Sequence, residues 1–253
     1  MTVLVTGSAG AIGSALMQRL PALGWDVRGF DKADGQDITS ASDLDAALSG
    51  ITAIVHLAGQ SIEAPWPVIR DANIEGTLQM FEAARRNAVL RVVYASSNHA
   101  VGFTPVTAGL PADTPPRPDT LYGVSKVFAE ALGHFYADRY GMRVACLRIG
   151  TFAESPPDQR SLSTWLSPGD CARLVDACLR APDLTYALVW GISDNTRRTW
   201  SLDSALALGY RPQDDAEDHL GSVPAREADP SDEYVGGGFT SAGFGIDEVA
   251  ARW

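Results

Sequence analysis

A chain of 253 residues with 45% hydrophobic content can bury a substantial core, as one large unit or one with a small appendage. Its formal charge of −11 excludes a general nucleic-acid binder, because phosphate attracts Lys and Arg. No apolar run is long enough to span a bilayer. Cys146, Cys171 and Cys178 are an odd set without a C-x-x-C pair, so reduced thiols packed as small hydrophobes are expected. The first residues enter a strand-like run with no charged leader, and a cytoplasmic chain is expected. The histidines are scattered without zinc-like spacing, so no metal is expected.

Val3-Leu4-Val5-Thr6 is a short β-branched run and reads as a buried strand. It feeds Gly7-Ser8-Ala9-Gly10-Ala11-Ile12-Gly13 and then a helical pattern through Leu20. Glycines at a strand-to-helix turn let backbone approach a pyrophosphate, and the helix N-terminus supplies amides and a favourable dipole. Gly7, Ala9, Gly10, Ala11, Ile12 and Gly13 are therefore cofactor-binding candidates. The spacing is G-x-x-G-x-x-G, and its context of strand before and helix after supports nucleotide binding.

The next strand, Trp25 to Phe30, ends at Asp31. An acidic residue there accepts hydrogen bonds from ribose hydroxyls and repels a 2′-phosphate, which favours NAD over NADP. Lys32 beside it is a basic neighbour able to meet a phosphate. Gln36-Asp37-Ile38 is a short extended piece from which Asp37 can reach the adenine. Ser42 to Gly50 has an acidic first turn and a terminal glycine, the pattern of a short crossover helix.

Ile51 to Leu57 is another buried strand, ending in Ala58-Gly59 where backbone can again pass close to a cofactor. His56, inside that run, reads as a satisfied core histidine rather than a ligand. A long helical segment follows Pro65 and Pro67 to about Asn87, with Asn73 interrupting its apolar face, as if to hydrogen-bond a neighbouring strand. Arg91 to Ala95 is a further strand that delivers Ser96-Ser97-Asn98-His99 at its C-terminal end. Ligands bind beyond the carboxyl ends of parallel strands. A hydroxyl there can hold a substrate oxygen, although serines also cap turns.

The loop from Gly102 to Thr120 is rich in Pro and Gly and reads as irregular. Leu121 to about Tyr140 is helical, with Gly141 as its stop. Tyr122 and Lys126, four apart, share a face of that helix. A phenol is a poor base at neutral pH, and a neighbouring ammonium is expected to lower its pKa and make Tyr122 a proton acceptor. The bland alternative is an ordinary amphipathic helix. Arg143 to Ile149 is a sixth strand, Thr151 to Leu166 a polar proline-containing segment, and Ser167-Pro168-Gly169-Asp170 opens a helix to about Arg180. Cys171 and Cys178 fall on one face of it. Tyr186 to Trp190 is a last strand, and Val235 to Phe239 reads as a loose or extended tail. Strands alternating with helices give an α/β fold, a Rossmann-like doubly wound parallel sheet. The whole chain, 1–253, reads as a single such domain, with 151–253 including a small C-terminal substrate-binding region.

Gly7-x-x-Gly10-x-x-Gly13, Ser97 and Tyr122-x-x-x-Lys126, in that order, resemble the extended short-chain dehydrogenase/reductases, the NAD-dependent epimerase/dehydratases. The pattern covers roughly the first two thirds of the chain. The resemblance implies NAD as cofactor, Tyr122 as catalytic base, Lys126 on the nicotinamide ribose and the tyrosine, and Ser97 on the reacting hydroxyl. It also implies that Leu57, Ala58, Gly59, Asn73 and Ile149 join Asp31, Lys32, Asp37 and Ile38 around the cofactor.

Ser96 to His99, Arg148-Ile149-Gly150, Arg160 to Ser167 and Val189-Trp190-Gly191 are similar to the uronate dehydrogenases, a compact branch of that family. That branch oxidises C1 of glucuronate or galacturonate with NAD to an aldarolactone. The similarity implies that Ser61, Ser97, Asn98, His99, Tyr122, Thr151 and Arg160 line a sugar site, with Arg160 forking onto the sugar carboxylate. The partner is then a small-molecule sugar acid rather than nucleic acid or membrane, and a homo-oligomer is expected. The chain departs from that pattern at Thr151, where serine is expected, and at Arg197 and Arg198, where small or aromatic residues are expected. Two other readings stand beside this one: a nucleotide-sugar epimerase or dehydratase that retains its NAD, and a non-catalytic NAD(P)-binding sensor on the same fold.

Overall fold

Six hydrophobic runs become the six strands of one parallel sheet, ordered β2-β1-β3-β4-β5-β8. In the computed structural model, which describes residues 1–227 and 229–244, the chain alternates strand and helix. It runs through β1 (Thr2–Thr6), α1 (Ala11–Arg19), β2 (Asp26–Phe30), α2 (Ala41–Ala47), β3 (Ala53–His56), α3 (Trp66–Ile69) and α4 (Gly76–Arg86). It continues with β4 (Arg91–Ser97), α5 (Leu121–Tyr140), β5 (Arg143–Ile149), β6 (Thr151–Phe152), α6 (Ser161–Thr164), β7 (Trp165–Leu166), α7 (Pro168–Arg180), β8 (Tyr186–Gly191) and α8 (Asp203–Ala207). This is the expected doubly wound, Rossmann-like α/β sheet. The extended piece at Gln36–Ile38 adds no strand to it. The part of the expected 151–253 region beyond residue 244 lies outside the described residues.

The strands read as near-continuous apolar runs because both faces of the sheet are covered. Val3, Val5, Val55 and Val93 pack with Leu16 of α1, with Leu20 just after it, and with Cys171, Leu174 and Cys178 of α7. Their neighbours Leu4, Ile54, Val92 and Val144 pack on the other face with Leu44, Met80, Phe81 and Tyr136 from α2, α4 and α5. Each such fully buried aliphatic side chain contributes about 1.5–3 kcal/mol. The three cysteines are buried and free, and burial holds each thiol well above its ordinary pKa. They are core packing rather than chemistry.

The strand order reverses direction at β1, with β2 on one side and β3 on the other. A crevice opens beyond the carboxyl ends of the strands at such a switch point. His56 helps to hold its edge. Buried at the end of β3, it lies 2.7 Å from the Thr6 hydroxyl and 3.3 Å from that of Thr77, and burial lowers its pKa to about 3. It is a neutral core histidine, as expected. The Thr6 hydroxyl in turn accepts from the Leu57 and Ala58 amides, both at 3.2 Å.

The expected helix from Pro65 to Asn87 is interrupted by a π-helical stretch, Arg70–Glu75, between α3 and α4. Such insertions are rare and re-aim side chains. Here the re-aimed residue is Asn73, which turns to the loop after β3 and to α5 rather than to a strand. A separate small cluster of Leu162, Trp165, Ala216 and Val223 supports the segments after β5. The stretch from Val235 to Phe239 is packed rather than loose: Val235 is buried, its amide bonds to the Thr104 carbonyl, and residues Gly237–Thr240 form a 3-10 turn.

Candidate active site

A single cleft of about 1070 Å³ runs along the carboxyl ends of β1, β2, β3 and β4, just above the usual range for small-molecule sites. Its floor is the glycine loop. Gly7 has φ +72°, and a Cβ there would lie 2.8 Å from the Ala58 nitrogen. A Cβ on Gly13 would lie 2.1 Å from the Gly7 carbonyl oxygen, so only glycine lets α1 start this close to β1. At Gly10 the space is open on the cleft side, with only the Gly7 oxygen within reach, at 3.3 Å. No side chain caps the N-terminus of α1, whose first amides are left for an anion. This donor set and close backbone approach fit a dinucleotide pyrophosphate.

Asp31 leaves the end of β2 with one carboxylate oxygen on the Ala9 amide and the other on the Ala33 amide, both at 2.9 Å. It bridges the glycine loop and the turn after β2. Lys32, Asp37 and Ile38 line the same end of the cleft, as do Leu57, Ala58 and Gly59. Asn73 does not line it. Its Oδ1 accepts from the Gln60 amide at 2.7 Å, and its Nδ2 donates to the Gln60 carbonyl at 3.0 Å and to the Ser125 hydroxyl at 2.9 Å. Ser125 donates to the Tyr122 carbonyl at 2.6 Å. Asn73 therefore ties the loop after β3 to the helix carrying Tyr122.

At the other end, α5 begins with Thr120 capping the Gly123 amide at 2.9 Å. The Glu63 carboxylate, which sequence reasoning missed, accepts from the Tyr122 amide at 2.8 Å. Tyr122, Lys126 and Ser97 all line the cleft. The Lys126 ammonium donates to the Ala95 carbonyl at 2.7 Å and lies 5.3 Å from the centre of the Tyr122 ring. Burial pushes the Tyr122 pKa up to about 12, with the Ser97 hydroxyl pulling the other way, and pulls Lys126 down to about 8. The expected lowering of the tyrosine by its lysine neighbour is not seen: desolvation, which disfavours both charged forms, dominates, and the one downward pull comes from the Ser97 hydroxyl.

The two serines of β4 divide their work by strand alternation. The Ser96 hydroxyl donates to Glu130 at 2.5 Å, inside a buried ion pair of Glu130 with Arg148. Ser97 accepts from the His99 amide at 3.2 Å and caps a short 3-10 turn while keeping its place on the cleft wall. Ser61, Asn98, His99 and Ile149 line the cleft as well. Phe239, which sequence reasoning missed, closes it by stacking on His99 with ring centres 4.1 Å apart.

Two expected sugar contacts stand behind that wall. Thr151 Oγ1 is 2.9 Å from Thr164 Oγ1. Arg160 lies over Gly237, donates to the Val235 carbonyl at 2.5 Å, and borders a second, smaller hollow with Gln159, Ser163, Arg226, Glu227 and Asp232. The same Val235 carbonyl accepts from Asn98 at 2.9 Å, so the tail connects Arg160 to Asn98 on the cleft wall.

The chain is similar to known proteins over most of its length. The sequence model of the NAD dependent epimerase/dehydratase family matches residues 3–184. A uronate dehydrogenase of Pseudomonas syringae pv. tomato is 37% identical over 95% of this chain and 94% of its own length. An NAD-dependent glucose-6-phosphate dehydrogenase of Haloferax volcanii is 36% identical over 91% of this chain and 98% of its own. Among solved structures, a uronate dehydrogenase mutant from Agrobacterium tumefaciens complexed with NAD superposes with a TM-score of 0.86 at 36% identity, covering 94% of this chain and 96% of that one.

Proposed function

The chain belongs to the NAD-dependent epimerase/dehydratase family, and from that premise we propose that it oxidises a hexuronic acid, glucuronate or galacturonate, at C1 to the aldarolactone. The observation that carries the reading is the convergence of Tyr122, Lys126 and Ser97 on one cleft with the glycine loop and Asp31. Similarity to uronate dehydrogenases over nearly the full length of both chains supports the sugar acid. Bound NAD supplies the hydride acceptor.

In this mechanism the Tyr122 phenolate oxygen takes the proton of the anomeric hydroxyl, and Ser97 orients that hydroxyl. Lys126 holds its ammonium beside the phenol, anchored on the Ala95 carbonyl, where its positive charge favours the phenolate form that accepts the proton. Asp31 receives the adenosine ribose, which favours NAD. Ser61, Asn98 and His99 supply short polar partners for the ring; Thr151 and Arg160 stand behind them, and Arg160 acts on the carboxylate end through the Val235 carbonyl that it shares with Asn98. No helix among the described residues is long and apolar enough to cross a membrane. Val124 and Phe135 are exposed on one face of α5, which supports association of copies into a homo-oligomer.

The test is a substrate panel of glucuronate, galacturonate, mannuronate, glucose, glucose 6-phosphate and a UDP-sugar with NAD or NADP, run on the wild type and on Arg160→Ala. Net NADH with the uronates, weakened by Arg160→Ala far more than oxidation of any neutral sugar, is the expected result. NADH formation from glucose 6-phosphate but not from uronates would overturn the substrate. A UDP-sugar converted without net NADH would point to the epimerase alternative.

A further inference from the structure

Asp119 stands one residue before the Thr120 cap of α5, and its side chain is completely buried. One carboxylate oxygen lies 2.7 Å from His99 Nδ1, and the other accepts from the Thr120 hydroxyl at 3.1 Å. The niche is cut from glycines on three separate segments. A Cβ on Gly102, Gly236 or Gly123 would lie 1.9, 2.0 or 3.2 Å from an Asp119 carboxylate oxygen. A carboxylate placed at that steric cost, against one nitrogen of one imidazole, has a use beyond filling space.

The imidazole is fixed from its other sides too. Phe239 stacks on its face, the Tyr122 ring meets it edge-on with centres 5.9 Å apart, and its own amide is tied to Ser97. Its Nε2 has no hydrogen-bond partner among the described residues, and the residue lines the cleft beside Tyr122. An ionised carboxylate only accepts hydrogen bonds, so the hydrogen of a neutral ring sits on Nδ1 and the lone pair is left on Nε2.

We propose that Asp119 is a positioning residue that locks His99 in the Nδ1–H tautomer, so that Nε2 accepts the hydrogen of a ring hydroxyl of the sugar next to Tyr122. The identity of that sugar rests on the function proposed above; the tautomer does not. Fixing the direction of one hydrogen bond also fixes the direction in the next: a hydroxyl that donates to Nε2 keeps its oxygen lone pairs for other donors. A ring carrying its hydrogen on Nε2 would compete with those donors instead.

The experiment compares the wild type, Asp119→Asn, His99→Phe and the double variant, each as the full chain. Asparagine keeps the shape but can donate to Nδ1 as readily as accept from it. Nitrogen-15 spectra of the ring, recorded with NAD bound, should show the Nδ1–H form in the wild type and a large Nε2–H fraction in Asp119→Asn. The KM for glucuronate or galacturonate should rise about tenfold, on the scale of one misdirected buried hydrogen bond, while the Kd for NAD stays within twofold. In the His99→Phe background the same substitution should change KM by less than twofold, because a residue acting through His99 has nothing left to act on. An unchanged tautomer in Asp119→Asn, or a tenfold KM effect that persists without His99, would overturn the proposal. If no uronate reduces NAD in the wild type, the substrate reading fails by itself. The ring spectra then decide the tautomer, and KM is read on whichever panel sugar is oxidised.

Discussion

Lys126→Met in the NAD-free protein measures what burial does to the ammonium beside Tyr122. Lys126 is only 7% exposed, and burial lowers its pKa from 10.5 to about 8 even with Glu130 one turn along α5. At 1.36 kcal/mol per unit this corresponds to about 3 kcal/mol. The unfolded chain keeps this proton up to about pH 10.5, whereas the folded protein releases it near pH 8. Below about pH 8 both states are charged, and the folded state bears the whole desolvation cost. As pH rises through the window from about 8 to 10.5 that cost is relieved. The unfolding free energy of Lys126→Met relative to wild type should therefore fall by about 3 kcal/mol across that window. Buried thiols and tyrosines titrate in both proteins and cancel in the difference. The lost bond to the Ala95 carbonyl changes the offset between the two curves, while the slope belongs to the lysine. Urea unfolding followed by tryptophan fluorescence at closely spaced pH values reads it directly. A gap that stays constant from pH 7 to 10.5 would show that the buried ammonium is solvated as well as an exposed one, and would refute the reasoning.

Tyr122→Phe should lower kcat about 10²–10⁴-fold, the usual range for a lost general base, and leave the Kd for NAD within twofold. Retention of most of the turnover would remove Tyr122 from the chemistry. Two glycine substitutions should separate fold from ligand. Gly13→Ala drives a methyl group to 2.1 Å from the Gly7 carbonyl and should lower both Tm and NAD affinity. Gly10→Ala meets only the Gly7 oxygen at 3.3 Å and should keep Tm within a few degrees while weakening NAD. Equal losses of Tm in the two would show that Gly10 serves packing instead.

The sheet was readable in the sequence because its signals are local. Val3–Thr6, Ala53–His56 and Arg143–Ile149 announce buried strands by β-branched runs, and the glycine loop by its spacing between strand and helix. Gly141 ends α5 with the left-handed stop its position announces. The errors lie where one residue's aim depends on distant chain. Asn73 looked like a strand contact because a regular helix was assumed, and the π-helical stretch turns it toward Gln60 and Ser125. Arg160 reads as a direct contact, yet it lies over Gly237 and bonds the Val235 carbonyl, a tertiary fit that no local pattern encodes. Asp119 and Phe239 sit in segments read as irregular, and only the folded chain brings both to His99. Tyr122 and Lys126 were found by spacing, but spacing says nothing of depth, and depth sets the direction of both shifts.

The segment from Tyr234 to Thr240 is synthesised after every strand of the sheet, yet it supplies the last pieces of the sugar end: the Val235 carbonyl, the Gly236 niche and the Phe239 ring. Domains fold as units, so the cleft is complete only when this last segment has docked on a wall whose other end is lined by residues 7–59. A short stretch that pairs with no strand of the sheet thus carries a carbonyl, a glycine niche and an aromatic ring to one wall of the cleft, so its side chains bear on what the cleft accepts without entering the register of six paired strands.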